Sequence, residues 1–531
     1  MGRFILPVRH ILQRTILAAL LSALAQGAWA QPTFVNGLVI PGDSLDATEQ
    51  PGANAGRLGM FSDIYYDPAR EEWWALSDRG PGGGLIDYAT RLQRFTLKVD
   101  AVTGAISRFR IKETVIFRDP QGLLTPPTAA VSKPRALNGL NPLLLNNDVS
   151  VLGRSFDPEG LLVVDPRTGH FLVADEYGPS VYEFDRQGRF KQAFDIPNNL
   201  IPKVGGDRNY VAIRDDCTTS PPPLCTGRQD NRGFEGLAIS PDGTKVYAVL
   251  QDPLINEGPH SATAADVNGR DGRNLRIVVF DNDPDSSTYL RSIAQYAYQL
   301  ELQADVAARI AALKGISSPT DPRQGRNIGL SAITAINDHE FLVLERDNRG
   351  IGVDDPAGAG VVGSKRIYKI DIEGATNIAT LDLPDNGDLA AAGIVPVTKS
   401  LDVFIDLAGS TLLPNGRLAE KWEGMTIGPK LKNGGHLILT GNDNDYSVTQ
   451  NANTSEQLDV YVDFGGNFAR CVIDDPTRCE INPAAADLTI DNPVPLSEGF
   501  FLLPGLLHAY KASKADLGKY VEPFTHLQHE E

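Results

Sequence analysis

Three Glu-Gly pairs carry residue types able to do chemistry: Glu159-Gly160, Glu235-Gly236 and Glu423-Gly424, each heading a short apolar run. A second run follows each and closes on acids: Asp175 with Glu176, Asp252, and Asn442 with Asp443 and Asp445. Two further copies carry Ser62 and Ser331 in place of the Glu, and close on Asp78 with Arg79 and on Glu345, Arg346 and Asp347. Basic residues precede the openings at Arg57, Arg154, Arg232, Arg326 and Lys421. Carboxylate oxygens suit a hard divalent cation, and a guanidinium suits an anionic group. Glu159, Glu235 and Glu423 with Arg232 and Arg346 are therefore the candidate catalytic set, able to activate water and grip a substrate. Asp175, Glu176, Asp252, Glu345, Asp347 and Asp443 are the candidate cation ligands. Calcium is the metal expected, because the set offers oxygen and neither sulfur nor imidazole.

A repeated element arranged about an axis would bring acids so far apart in the chain together. Leu237-Ala-Ile239 and Val246-Tyr-Ala-Val-Leu250 flank Ser-Pro-Asp-Gly at 240–243, a β-hairpin pattern with strong turn chemistry. Variants open at 62, 159, 331 and 423, roughly 75 to 100 residues apart, the signature of a radial β-repeat. The chain is expected to be all-β, a propeller of four-stranded blades. Five or six blades are favoured over seven, and the terminal segments are a possible source of the sixth. Phe34–Ile40 reads as a strand able to close the ring against the C-terminal end. In such a ring the residues opening the first strand and closing the second meet at one mouth. A structural role competes there: each Glu would accept hydrogen bonds from backbone N–H groups or from an arginine of the adjacent blade, locking the blades. Glu301 to Leu313 has the spacing of a short helix stopped by Gly315.

Residues 1–30 carry Arg3, Arg9 and Arg14 before the apolar run Thr15–Ala25, and then Ala28-Trp-Ala30, the pattern of a cleaved export signal. The division expected is a signal at 1–30, a single propeller at 31–510 and a solvated tail at 511–531, with a periplasmic or secreted destination. Loss of the three arginines moves the formal charge from −18 to −21, which disfavours nucleic acid as a partner. No later stretch is long and apolar enough for a membrane helix. The four cysteines form close pairs, Cys217 with Cys225 and Cys471 with Cys479, read as two local disulfides pinning insertion loops. There is no Gly-x-Ser-x-Gly elbow, phosphate-binding glycine loop or His-Glu-x-x-His, and the eight histidines are scattered.

The block Phe234-Glu-Gly-Leu-Ala-Ile-Ser-Pro-Asp-Gly243, with Asp175-Glu176, Glu345-Arg346-Asp347 and Trp422-Glu-Gly-Met425, resembles the phytase-like family described as having esterase-like activity of phytase. The resemblance runs from about 55 to 465 and implies an exported propeller with phosphoester or ester hydrolase activity. Ser62 and Ser331 depart from the Glu-Gly pattern. The function expected is metal-dependent hydrolysis of phosphate esters or related esters at one mouth, on a small anionic or ester substrate, by a monomer. A non-catalytic envelope scaffold and a lactonase-like sugar-acid hydrolase are the alternatives.

Overall fold

The computed structural model describes residues 31–48, 54, 56–124, 136–141, 155–210, 225–257, 272–314, 328–384, 388–410, 418–449, 457–484 and 487–524. Within them the fold is nearly all β, built from antiparallel sheets of mostly four strands. Blade I runs outward through Asp63–Asp67, Glu72–Leu76, Arg91–Val99 and Ile106–Ile116. Blade II uses Pro158–Asp165, His170–Asp175, Ser180–Phe184 and Phe190–Ala193, and blade III uses Phe234–Ile239, Lys245–Leu250, Asn274–Asp281 and Ser292–Gln299. Blade IV uses Ile328–Ala335, Glu340–Asp347 and Lys365–Asp371, edged by the short strands Thr398–Lys399 and Ile405–Asp406.

Blade V begins with Lys421–Lys430 and His436–Asp443, then takes Gly505–Ala512 and, outermost, the N-terminal strand Thr33–Ile40. The innermost strands touch in the cyclic order I, II, III, IV, V and back to I, so the ring closes at five blades. The terminal segments complete the fifth blade and add no sixth, as the pairing of Phe34 with Tyr510 and Ile40 with Gly505 records.

Each of the five seams between blades holds its own apolar cluster, for example Trp74, Leu92, Leu161 and Phe171 between I and II. Both faces of a blade are thus buried. That is why the hairpin strands are continuous apolar runs, such as Phe341-Leu-Val-Leu344, where a half-exposed sheet would alternate. The glycine after each ring glutamate serves the same seams. A Cβ on Gly236 would lie 2.9 Å from Ile333 N and 3.0 Å from Ala332 Cα of blade IV, and one on Gly424 would lie 2.7 Å from Ile64 Cγ1 of blade I.

Two segments lie elsewhere than their sequence suggests. Leu458–Val462, which follows the last hairpin in the chain and has the pattern of its next strand, belongs to a separate sheet with Phe468–Val472, Asp475–Ile481 and Phe501–Leu502, inserted between the second and third strands of blade V. Residues 511–524, within the segment read as a solvated tail, finish a strand and then bury Leu517 and Phe524, while Tyr520 and Pro523 line a cavity of about 40 Å³ in the channel. The helix spans Gln303–Lys314 and buries Val306 and Ile310.

The disulfide Cys471–Cys479 joins facing residues of neighbouring strands in the inserted sheet, as expected. Cys225 is also disulfide-bonded; its expected partner Cys217 lies outside the described residues, as do residues 1–30. Among the described residues no helix is long and apolar enough to cross a membrane.

The close approach of inner strands makes a prediction. Gly236→Ala forces backbone apart and should cost about 1–3 kcal/mol. Gly409→Ala, where an added Cβ meets nothing within 4 Å, should stay within about 0.5 kcal/mol of the parent in denaturant unfolding.

Candidate functional site

The ring glutamates are placed by β-bulges. The register between the first two strands slips between Phe234 and Gly236 in blade III, between Trp422 and Gly424 in blade V, and between Pro158 and Leu161 in blade II. The same slip falls between Leu330 and Ala332, at Ser331, in blade IV. A bulge leaves its extra residue unpaired and turns the side chain out of the alternating pattern. Glu159, Glu235, Glu423 and Ser331 are those extra residues. In blade I, Ser62 stands immediately before the first strand and donates its N–H to Leu76 O. All five are buried.

The residues closing the second strands join them, and ion pairs tie blade to blade. Arg79 of blade I reaches Asp157 at the opening of blade II, Nη1 to Oδ2 at 2.9 Å, and also donates its backbone N–H to Asp157 Oδ1 at 2.9 Å. Arg232, opening blade III, meets Glu176 of blade II at 3.3 Å and Asp252 of its own blade at 3.1 Å. Arg346 of blade IV pairs with Glu423 of blade V and donates Nε–H to Ser331 Oγ at 2.9 Å. Lys421 of blade V lies 2.5 Å from Asp445 and 3.7 Å from Asp443. Glu235 accepts from the Gln251 amide.

The remaining sequence-predicted ligands are engaged otherwise. Asp175 Oδ1 accepts backbone N–H groups from Asp157 at 3.0 Å and Tyr177 at 3.1 Å, holding the turn that presents Glu176. Glu345 points into the seam between blades III and IV, where it meets the Tyr298 hydroxyl, the Lys399 ammonium and Glu301 N–H. Asp347 accepts from Gly363 N at 2.6 Å and Ser364 N at 3.1 Å and pairs with Lys365 at 3.1 Å, anchoring a loop. Glu176 and Asp443 do stand in carboxylate groups, and these are different groups.

Oxygens of Asp157, Glu159 and Glu176 lie within 4.8 Å of one another, and so do those of Asp78, Asp443 and Asp445. The second group already holds a cation, the Lys421 ammonium. In the first, Glu159 Oε2 is buried with no hydrogen-bond partner. Glu235 Oε2, Gln251 Oε1 and Ser62 Oγ share that condition. Asp157 is absent from the sequence-predicted set, although it stands two residues before Glu159 in Asp-Pro-Glu-Gly.

Removal from water dominates the electrostatics. Burial, followed by the charges of Glu235, Asp157, Glu423 and Glu176, pushes the Glu159 carboxyl well above the usual range. Glu235 is raised well above it by burial and then by Glu176 and Glu423, against the pull of Arg346 and Arg232. Asp157 is pushed up to about 7 by burial that Arg79 only partly offsets, and Asp78 to about 7 by burial and then by Asp157 and Asp445. Asp175 reaches about 8, again chiefly through burial. The matching bulges on inner strands that pack around one axis place the three ring glutamates at one mouth.

The family described as phytase-like, with esterase-like activity of phytase, matches residues 56–446. An uncharacterized secreted protein of Arthroderma benhamiae is 26% identical over 442 residues, covering 72% of this chain and 80% of its own. Among solved structures, a luciferin-regenerating enzyme has 12% identity over 92% of this chain and 99% of its own, with a TM-score of 0.28. Virginiamycin B lyase from Staphylococcus aureus has 10% identity over 90% and 99%, with a TM-score of 0.25.

Two outcomes follow from these pairs and charges. Arg346→Met strands the buried Glu423 carboxylate and should cost about 3–5 kcal/mol, most of it recovered when Glu423→Leu is added. Asp78, Asp157 and Asp175 hold protons in the fold at pH values where the unfolded chain has lost them, so their contribution to stability is complete below about pH 4 and lost as pH rises through about 7 to 8. In chelator, the melting temperature should therefore fall between about pH 5 and pH 8; a flat or rising profile contradicts the assignment.

Proposed function

The chain belongs to the phytase-like family, and from that premise we propose that it is an exported, calcium-dependent hydrolase of phosphate or related esters, acting at the acidic mouth. The observation that carries the reading is the buried, unpartnered Glu159 Oε2 within the group formed with Asp157 and Glu176. Three oxygen donors with no sulfur or imidazole suit calcium, and a cation there relieves the like-charge crowding. When bound, the ion supplies polarisation of a phosphoryl or acyl oxygen.

The chain's own groups do the rest. Arg79 and Arg232 hold Asp157 and Glu176 in position, and Arg346 holds Glu423. Their guanidinium groups are thereby engaged, which favours a positioning role over the substrate grip expected from sequence. Glu235, kept protonated by burial, serves as the acid and base. Water bonds to the acyl carbon or phosphorus, and the bond to the leaving alkoxy oxygen breaks. The alcohol departs with the proton Glu235 gives, and a water proton returns to Glu235. Ester and water become acid and alcohol. Export is supported by the arginine-led apolar leader, by the disulfide and by the secreted relative.

One observation favours a second reading, a non-catalytic scaffold: the arginine pairs link blades I to II, II to III and IV to V, as a purely structural lock would.

The two separate in one experiment on the leaderless protein, comparing calcium with chelator. Calcium should raise the melting temperature and the hydrolysis of p-nitrophenyl phosphate or p-nitrophenyl acetate, and Glu159→Gln should abolish both effects. Because the cation displaces protons from Asp157 and Glu159, the thermal gain should grow as pH rises from about 6 to about 8. No thermal gain and no hydrolysis of either ester leaves the scaffold.

A further inference from the structure

The charge already spent at the mouth narrows what it can receive. Arg79, Arg232, Arg346, Lys365 and Lys421 each have at least one carboxylate partner. The four buried ring atoms named above without a partner, Ser62 Oγ, Glu159 Oε2, Glu235 Oε2 and Gln251 Oε1, are all oxygens. Glu159 and Glu235 are only 6% and 1% exposed, so these oxygens are withdrawn from bulk water and an occupant must satisfy them.

A phosphate monoester is a poor match. Its oxygens only accept, so it satisfies a ring oxygen only where that oxygen carries a proton, and the guanidinium groups nearby are already paired with carboxylates. A hydroxyl group behaves differently. It donates to a carboxylate or amide oxygen and accepts from a protonated carboxyl, so it satisfies Glu159 and Glu235 in either protonation state. An array of hydroxyls suits a ring of such oxygens.

We propose that the ligand of this mouth is a neutral, polyhydroxylated ester, a sugar lactone or acylated sugar. The chemistry of the proposal rests on the hydrolase reading above; the binding preference does not. The ester carbonyl goes to the cation seat of Asp157, Glu159 and Glu176, and the ligand hydroxyls pair with Glu235, Gln251 and Ser62. Hydrolysis follows the balance already given, with the alcohol oxygen of the sugar as leaving group.

The test uses the full leaderless protein with calcium. Titration calorimetry measures binding of sorbitol, inorganic phosphate and, as a cationic control, ethylammonium; turnover compares glucono-δ-lactone with p-nitrophenyl phosphate. Sorbitol should bind more tightly than phosphate or ethylammonium, and kcat/KM should favour the lactone at least tenfold. Glu235→Gln should weaken sorbitol about tenfold, and Ser62→Ala, which breaks no contact in the fold, should weaken it severalfold. Sorbitol bound without turnover of any ester sustains the ligand class and defeats the hydrolase reading. Preferred turnover of the phosphate ester with inhibition by phosphate defeats the ligand class and keeps the hydrolase. Tighter binding of ethylammonium, or sorbitol bound equally by the parent and both variants, overturns the proposal, the ring oxygens then being satisfied by buried water alone.

Discussion

The constraint on which the rest depends is the distance between neighbouring inner strands. Five of them pack around one axis so closely that a single Cβ at Gly236 or Gly424 would meet atoms of the next blade at 3 Å or less. A strand that must lose its side chain there, yet keep pairing outward, takes a bulge, and the bulge hands the preceding residue to the axis. Glu-Gly thus has one cause with two effects: glycine permits the contact, and glutamate is delivered to the mouth. The ring of acids follows from the way the blades touch.

Once delivered, the carboxyls are too close and too dry to remain all ionised. Three responses coexist in the structure. Guanidinium groups from adjacent blades pair with Asp157, Glu176 and Glu423; a lysine occupies the group of Asp78, Asp443 and Asp445; and burial raises the proton affinity of Glu159 and Glu235. The first two consume the available cations. The third leaves acidic oxygens without partners on the side of blades II and III, and the proposed site lies there.

The hairpins, the single mouth and the Cys471–Cys479 bridge were legible in sequence because each rests on local chemistry: a Pro-Asp-Gly turn, an apolar pair of runs, two cysteines eight residues apart. What a strand pairs with is not local. Leu458–Val462 carries an ordinary strand pattern, and only the fold reveals that Gly505–Ala512 takes the third place in blade V while Leu458–Val462 starts another sheet. The same reason hid the partners of Glu345 and Asp347. Both close a strand beside Arg346, but strand alternation turns Glu345 to the seam, and Asp347 is claimed by a loop that begins at its own residue. Asp157 escaped notice because it precedes the strand whose opening defines the pattern.

The two positions that break the repeat explain why the demand is lopsided. At 331 a serine stands in place of glutamate, and its hydroxyl accepts from Arg346 while that guanidinium reaches across to Glu423. A glutamate there would compete for Arg346 and leave Glu423 short of charge, shifting the deficit toward blades IV and V. At 62 the serine adds a hydroxyl without a charge between blades V and II. With both substitutions the acids are neutralised on one side of the axis and under-compensated on the other. A fivefold repeat is thereby given a front, the side from which the proposed ligand would be held.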